Sequence, residues 1–183
     1  MIKHSSKCVL QSVFLQSPIG QLQLSGCEKG IHTVTITKET EHSAVTCDDG
    51  GVCAELQRCV SWLQSYFSSA QSVTSLPPPP IHHPLLQTDS FSACVLRILQ
   101  DQVPVGRTVS YRQLAEMAGN VQAVRAVGGA MRRNPVPLLI PCHRVLCSSG
   151  AIGGFMGGKG TEMKLWLLQH EGWEPQLRTA DGN

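Results

Sequence analysis

Cys142 and His143 stand side by side in Leu138-Leu139-Ile140-Pro141-Cys142-His143-Arg144-Val145-Leu146, a largely apolar stretch. Apolar surroundings push a thiol toward its inert neutral form, whereas an imidazole that takes its proton makes it a nucleophile. The pair therefore reads either as a centre for covalent chemistry or as two ordinary core residues. Neighbouring side chains in an extended segment point to opposite faces, so the two groups need a bend or a bridging water to cooperate. A Cys-His hydrolase is one option, and its signature would be turnover beyond one equivalent.

The other chemistry-bearing residues are scattered. There are eight cysteines and seven histidines, and among Cys8, Cys27, His32 and His82 only the middle two are close in sequence. Thiol and imidazole groups could together form a closed four-coordinate metal site. The N-terminus has no apolar signal core and no run reaches the length of a membrane span, so a reducing compartment is expected, where cysteines serve as core, ligands or nucleophiles. With 183 residues, 42% hydrophobic, and a net charge of +2, the chain can bury a real core. That charge balance neither demands nor excludes nucleic acid. The glycine-rich loop 153–160 lacks a preceding strand and the GxGxxG spacing, so it does not read as a nucleotide site.

The elements that must position these residues fall into two textures. Residues 9–16 and 21–27 flank the turn residues Ser17-Pro18-Ile19-Gly20, Leu22 and Leu24 alternate with glutamines and 31–37 alternates again, which together predict a three-stranded antiparallel meander. Residues 38–51 are polar and predict an exposed loop. Val52, Leu56, Cys59, Val60, Leu63 and Phe67 are spaced for an amphipathic helix over 52–67. Pro77-Pro78-Pro79-Pro80 is a stiff connector, and a domain boundary is expected just after it, giving units 1–83 and 84–183. Beyond it, Asp89 or Ser90 caps a helix to about 102. Ser110 with Gln113 is a capping-box pattern for a short helix 111–118, and Gly119 closes it. A second helix is expected over 122–133, making a helix-turn-helix. Residues 138–146 read as a buried strand or core-crossing turn. A last helix, 161–170, is expected to bury Met163, Leu165, Trp166 and Leu168, with a loose tail from 175.

Within the second helix, Gly128-Gly129 is poor for propensity. It serves either close approach to a narrow DNA groove, with Arg125 as a probe, or tight packing on another helix.

Taken together, Pro141-Cys142-His143-Arg144-Val145 and the preceding Gly128-Gly129-Ala130-Met131-Arg132-Arg133-Asn134-Pro135 closely resemble the 6-O-alkylguanine-DNA alkyltransferases, and the N-terminal half is similar to their animal members. The resemblance implies an α+β fold: a ribonuclease-H-like N-terminal domain, with an antiparallel three-stranded sheet and a helix, followed by a winged helix-turn-helix domain. It implies single-turnover transfer of a methyl or larger alkyl group from 6-O-alkylguanine, or 4-O-alkylthymine, in DNA to Cys142 after base flipping. In that reading His143 deprotonates Cys142 through water, and Glu171 orients His143. Tyr111 donates to the departing guanine, and Asn134 braces the active-site turn. Val145, Met131 and Met156 line the substrate pocket, with Val145 supplying a carbonyl. Arg125 fills the gap in the duplex, and Ser92, Tyr111, Arg112, Asn120 and Ser148 join it as DNA contacts. Cys8, Cys27, His32 and His82 correspond to ligands of a structural zinc, with His83 as a rival for the fourth place; no organic cofactor is implied. The expected partner is double-stranded DNA, met through the minor groove with little sequence preference. A monomer, cooperative on DNA, in the nucleus and with no membrane association completes the expectation. An alkyltransferase-like module without catalysis is the rival within the same fold, and Cys142 argues against it.

Overall fold

Leu22, Leu24, Val34 and Ile36 alternate with polar neighbours, and the strands carrying them form one sheet. The structure, a computed structural model, describes residues 7–38, 51–155 and 160–175. Strands β1 (Gln11–Ser17), β2 (Gly20–Cys27) and β3 (Gly30–Thr37) pair antiparallel in that order, with an irregularity at Ser25/Gly26. Helix α1 (Ala54–Ser68) covers the sheet with Leu56, Cys59, Leu63 and Tyr66, all buried. Each fully buried leucine contributes roughly 1.5–3 kcal/mol.

Strand β3 is an edge, and unpaired edges invite further pairing. Here the chain itself covers it. Ile31 N–H donates to Pro80 O and His82 N–H to Ile31 O, both at 2.8 Å, so the end of the proline connector runs alongside β3. Proline offers no N–H but its carbonyl still accepts. Gly30 permits the approach: a Cβ there would lie 2.6 Å from Pro80 O. Further along, Val34 N–H donates to Pro135 O at 2.9 Å.

In the second half, α2 (Phe91–Gln102) is capped by Ser90, whose hydroxyl accepts from Ala93 N–H. Strand β4 (Val109–Ser110) leads into α3 (Tyr111–Met117), where the Ser110–Gln113 capping box closes on both sides. Gly119 (φ +83°) ends α3 in the left-handed region. Helix α4 (Val124–Arg132) starts two residues later than the sequence suggests, because Asn120 Oδ1 takes Gln122 N–H into a turn. Helix α5 (Thr161–His170) has the expected bounds.

One open reading is settled and one expectation needs correction. Of the two readings of residues 138–146, the core-crossing turn holds, and they are not one strand. Pro137 and Pro141 interrupt pairing, Leu138 sits at φ +76°, and Cys142–Arg144 makes a 3-10 turn. Only β5 (Val145–Leu146) is extended, and it pairs parallel with β4. In α5, Lys164 and Leu167 are buried with Met163 and Leu168, while Leu165 and Trp166 are only partly covered. The expected loop over 38–51 falls almost wholly outside the described residues, as do Met156 and most of the tail from 175. No helix among the described residues is long and apolar enough to cross a membrane.

Candidate active site and metal cluster

Two hydrogen bonds from Asn134 set the turn that carries the cysteine. Its amide donates to Ile140 O at 2.9 Å, and its Oδ1 accepts from Val136 N–H at 3.1 Å. The loop between α4 and Cys142 is thus folded back on one side chain. Cys142 then lies at the wall of a cavity of about 720 Å³, with only 8% of its surface exposed. Tyr111, Gly128, Met131, Asn134 and Phe155 line the same space, and Val34 and Thr35 of β3 close it from the N-terminal half. Burial pushes the Cys142 thiol above its usual pKa; the Asn134 hydrogen bond and the Lys164 charge oppose the shift. The sulfur is therefore protonated at rest and needs a local proton acceptor to become nucleophilic.

His143 is fully buried, and its Nε2 lies 2.7 Å from Glu171 Oε1. A carboxylate can only accept, so Nε2 carries the proton and Nδ1 presents a lone pair. Among the described residues nothing hydrogen-bonds that Nδ1. Burial pushes His143 below its ordinary pKa, and the Glu171 charge resists. Neutral imidazole with a free Nδ1 is the form able to receive a proton.

Glu171 is not a solvated helix-end residue; it is 3% exposed at the end of α5. Oε1 accepts from His143 Nε2, from Arg144 Nη2 at 2.8 Å and from Tyr66 OH at 2.8 Å. Oε2 accepts from Arg144 Nε at 2.8 Å. Burial alone would raise the carboxyl, but the His143 and Arg144 bonds outweigh it and hold it well below the usual carboxylate range. Arg144 also donates to Val103 O at 2.8 Å. Tyr66 reaches this cluster from α1.

Sequence reasoning missed Arg144, Tyr66 and Lys164. Lys164 is fully buried, and its Nζ donates to Val145 O at 2.7 Å and to Gly154 O at 3.2 Å. The Val145 carbonyl expected near the base edge thus already accepts one bond, and one lone pair remains. A lysine among Met163, Leu167 and Leu168 on the inward stripe of α5 was the available signal. Tyr111, the first residue of α3, is half-buried against the cavity, and burial raises its phenol so that it stays protonated.

The groove-facing candidates lie apart from the cavity wall. Arg125 is exposed on α4, and Asn120 and Ser148 are exposed in the turns before α4 and after β5. Arg112 is exposed on α3 and pairs with Glu116 at 3.5 Å. Ser92 Oγ accepts from Arg133 Nη2 at 2.8 Å. Gly129 is buried on α4, which packs against α2 and α3, and a Cβ added at Gly128 or Gly129 would meet, beyond the helix's own backbone, the guanidinium groups of Arg132 and Arg133.

Cys8, Cys27, His32 and His82 come together, their ligand atoms all within 4.8 Å of one another. Cys8 precedes β1 rather than lying in it; Cys27 ends β2 and His32 is in β3. His82 is delivered by the pairing of the proline connector with Ile31. His82 Nδ1 is 3.5 Å from Cys8 Sγ, 3.4 Å from Cys27 Sγ and 3.2 Å from His32 Nε2. His32 Nε2 is 3.3 Å from Cys27 Sγ. Tetrahedral zinc with ordinary bond lengths would give N···N near ~3.3 Å and N···S near ~3.6 Å, so the donor set fits. His83 turns away and caps a 3-10 turn, its Nδ1 accepting from Leu85 N–H.

A nucleophile-bearing loop beside a helix-turn-helix defines the class, and the comparisons define the family. The family description "6-O-methylguanine DNA methyltransferase, DNA binding domain" matches residues 90–173, and its "ribonuclease-like domain" matches residues 12–79. The chain is 49% identical over 175 residues to the methylated-DNA--protein-cysteine methyltransferase of Mus musculus, covering 90% of this chain and 82% of that protein. It is 45% identical over 171 residues to the Homo sapiens protein of the same name, with the same coverages. A crystal structure of Mycobacterium tuberculosis OGT in complex with DNA superposes with a TM-score of 0.69 at 32% identity, covering 86% of this chain and 90% of that one. The chain belongs to the methylated-DNA--protein-cysteine methyltransferase family.

Proposed function

We propose that the chain repairs DNA by direct reversal, moving a methyl or larger alkyl group from O6 of guanine, or O4 of thymine, onto its own Cys142. The observation that carries this is the buried relay behind the cavity: Cys142 at its wall, His143 with an unengaged Nδ1, and Glu171 holding the opposite nitrogen at 2.7 Å. The Cys142 proton passes through a water to His143 Nδ1, and the Glu171 carboxylate stabilises the imidazolium. The thiolate sulfur attacks the alkyl carbon, an S–C bond forms and the C–O bond breaks. Guanine takes a proton from the Tyr111 phenol and leaves as a neutral base; the phenolate then regains a proton through solvent as the His143 imidazolium releases the one it took, so no net proton is consumed. The thioether has no leaving path, so each chain acts once.

The base must leave the stack to reach Cys142, at a cost of a few kcal/mol. Arg125 fills the gap, and Ser92, Arg112, Asn120 and Ser148 hold the strand from the minor-groove side with little sequence preference. Met131 and Val145 belong to the base pocket. We divide the chain near residue 83 and place Zn2+ on Cys8, Cys27, His32 and His82. Zinc would stiffen the N-terminal strands and supply no step of the reaction. The protein acts as a monomer, cooperative along DNA, in the nucleus.

Mass spectrometry after incubation with a duplex carrying 6-O-methylguanine tests the reading. One methyl equivalent on the Cys142 peptide, absent in Cys142→Ala, is expected. An unchanged wild-type mass refutes it.

A further inference from the structure

Arg133 follows the last turn of α4, and its side chain doubles back over Gly129. A Cβ at Gly129 would lie 3.1 Å from Arg133 Nη1 and 3.4 Å from Nη2. From there Nη2 crosses to α2 and donates to Ser92 Oγ at 2.8 Å. Arg132, one residue earlier, lies over Gly128 and lines the cavity. Both arginines are exposed. Among the described residues no carboxylate pairs with either of them.

An exposed arginine is usually either mobile or tied to an acid. Arg133 is instead seated on a glycine and held by a neutral hydroxyl. That fixes its position without neutralising its charge, which is preorganisation for an outside anion. Ser92 engages one of five guanidinium N–H donors and leaves a forked edge that matches a phosphate. Its sequence neighbours Arg132 and Asn134 line the cavity, so the backbone of a strand that delivers a base there is the anion in question. We propose that Arg133, held by Ser92, grips a backbone phosphate of the DNA strand whose base enters the cavity. This rests on the DNA-repair reading above. It gives Gly129 a purpose within the protein: it makes room for a guanidinium as well as for a groove.

Binding of the full chain to an unmodified duplex, followed by fluorescence anisotropy across a salt series, tests it. Losing one phosphate contact should make the slope of log affinity against log salt shallower by about 0.9 in Arg133→Gln. Affinity at fixed moderate salt should fall on the order of 3- to 10-fold, the size of an exposed charge-assisted contact. Ser92→Ala keeps the charge but also removes a hydroxyl assigned to the strand above, so only its salt slope is read, and a slope shallower than wild type by as much as that of Arg133→Gln would count against the proposal. Arg58→Gln removes an exposed arginine that pairs with Glu55 on α1, and should keep the wild-type slope. A slope for Arg133→Gln within about 0.3 of wild type, or the same drop in Arg58→Gln, overturns the proposal. If the wild-type chain binds no duplex at all, the repair reading falls with it, so the two failures are distinguishable.

Discussion

Replacing Glu171 by Gln tests the buried relay most directly. The substitution keeps the shape and removes the charge. Four hydrogen bonds reach the carboxylate, three on Oε1 and one on Oε2. An amide has one acceptor oxygen, so its nitrogen must face donors. The least bad orientation leaves the oxygen at the Oε1 position and sets the amide against Arg144 Nε. Arg144, 6% exposed, then keeps its charge without a counter-charge. Removing one partner of a buried pair costs about 3–5 kcal/mol, and the retained acceptor argues for the lower end, about 3. For a chain of this size that is roughly 6–12 °C of melting temperature. Methyl transfer should slow by at least about 100-fold, because the amide oxygen still holds the His143 tautomer but no carboxylate charge stabilises its imidazolium.

The assays are thermal unfolding by circular dichroism at pH 7 and single-turnover transfer from a methylated duplex. A loss under about 2 °C together with a rate within tenfold of wild type would refute the reasoning. The pH dependence of wild-type stability has a fixed sign. His143 and Glu171 both have folded pKa values below their unfolded ones, 6.5 and 4.5. Their contributions are complete above those values and are lost as pH falls, first below about 6.5 and then more steeply below about 4.5.

Lys164→Met keeps the apolar stem and removes both donors to Val145 O and Gly154 O. We expect transfer slowed about tenfold with a stability change below ~2 kcal/mol, since burial of a neutral side chain offsets the two orphaned carbonyls; a wild-type rate would show that the tether is only structural. Elemental analysis should find one zinc per chain, lost in Cys27→Ser, and chelation should lower the melting temperature of wild type but not of the variant. A metal-free wild-type protein with the same melting behaviour would refute the zinc assignment.

The fold was legible where local chemistry decides it. The Ser110–Gln113 capping box, the alternation in 21–27 and 31–37, and the stripe of α1 each determined an element without outside help. The apolar run of 138–146 left a buried strand and a core-crossing turn both open, and Pro137 before it and Pro141 within it favour the turn. Those prolines decide the backbone, and the resulting turn is what brings Cys142 to a cavity rather than burying it in a sheet. The pair Cys142–His143 was visible from adjacency. Its orienting carboxylate was not visible from spacing, because Glu171 looks like any acidic residue at the end of a helix. Only the family resemblance named it. Tyr66, Arg144 and Lys164 were hidden for a common reason: each is a polar group buried by partners far away in sequence, and no local pattern records a partner.

Those hidden residues change what the N-terminal half is for. Tyr66 stands on α1, 105 positions from Glu171, and stacks on Trp62 while His170 Nε2 contacts its carbonyl oxygen at 2.6 Å. Val34 of β3 holds Pro135 in the loop that precedes Cys142, and Val34 and Thr35 wall the cavity. The same strand carries His32 of the metal cluster and is edged by the connector that delivers His82. A metal bound there would stiffen β3, and β3 touches the active-site loop directly. The N-terminal half is therefore a support for the nucleophile, acting on the carboxylate through one phenol and on the loop through one strand. That predicts a definite ordering. Damage to the cluster should loosen the cavity through Val34–Pro135 before it disturbs the relay, because Glu171 keeps its Arg144 bonds whatever happens at β3.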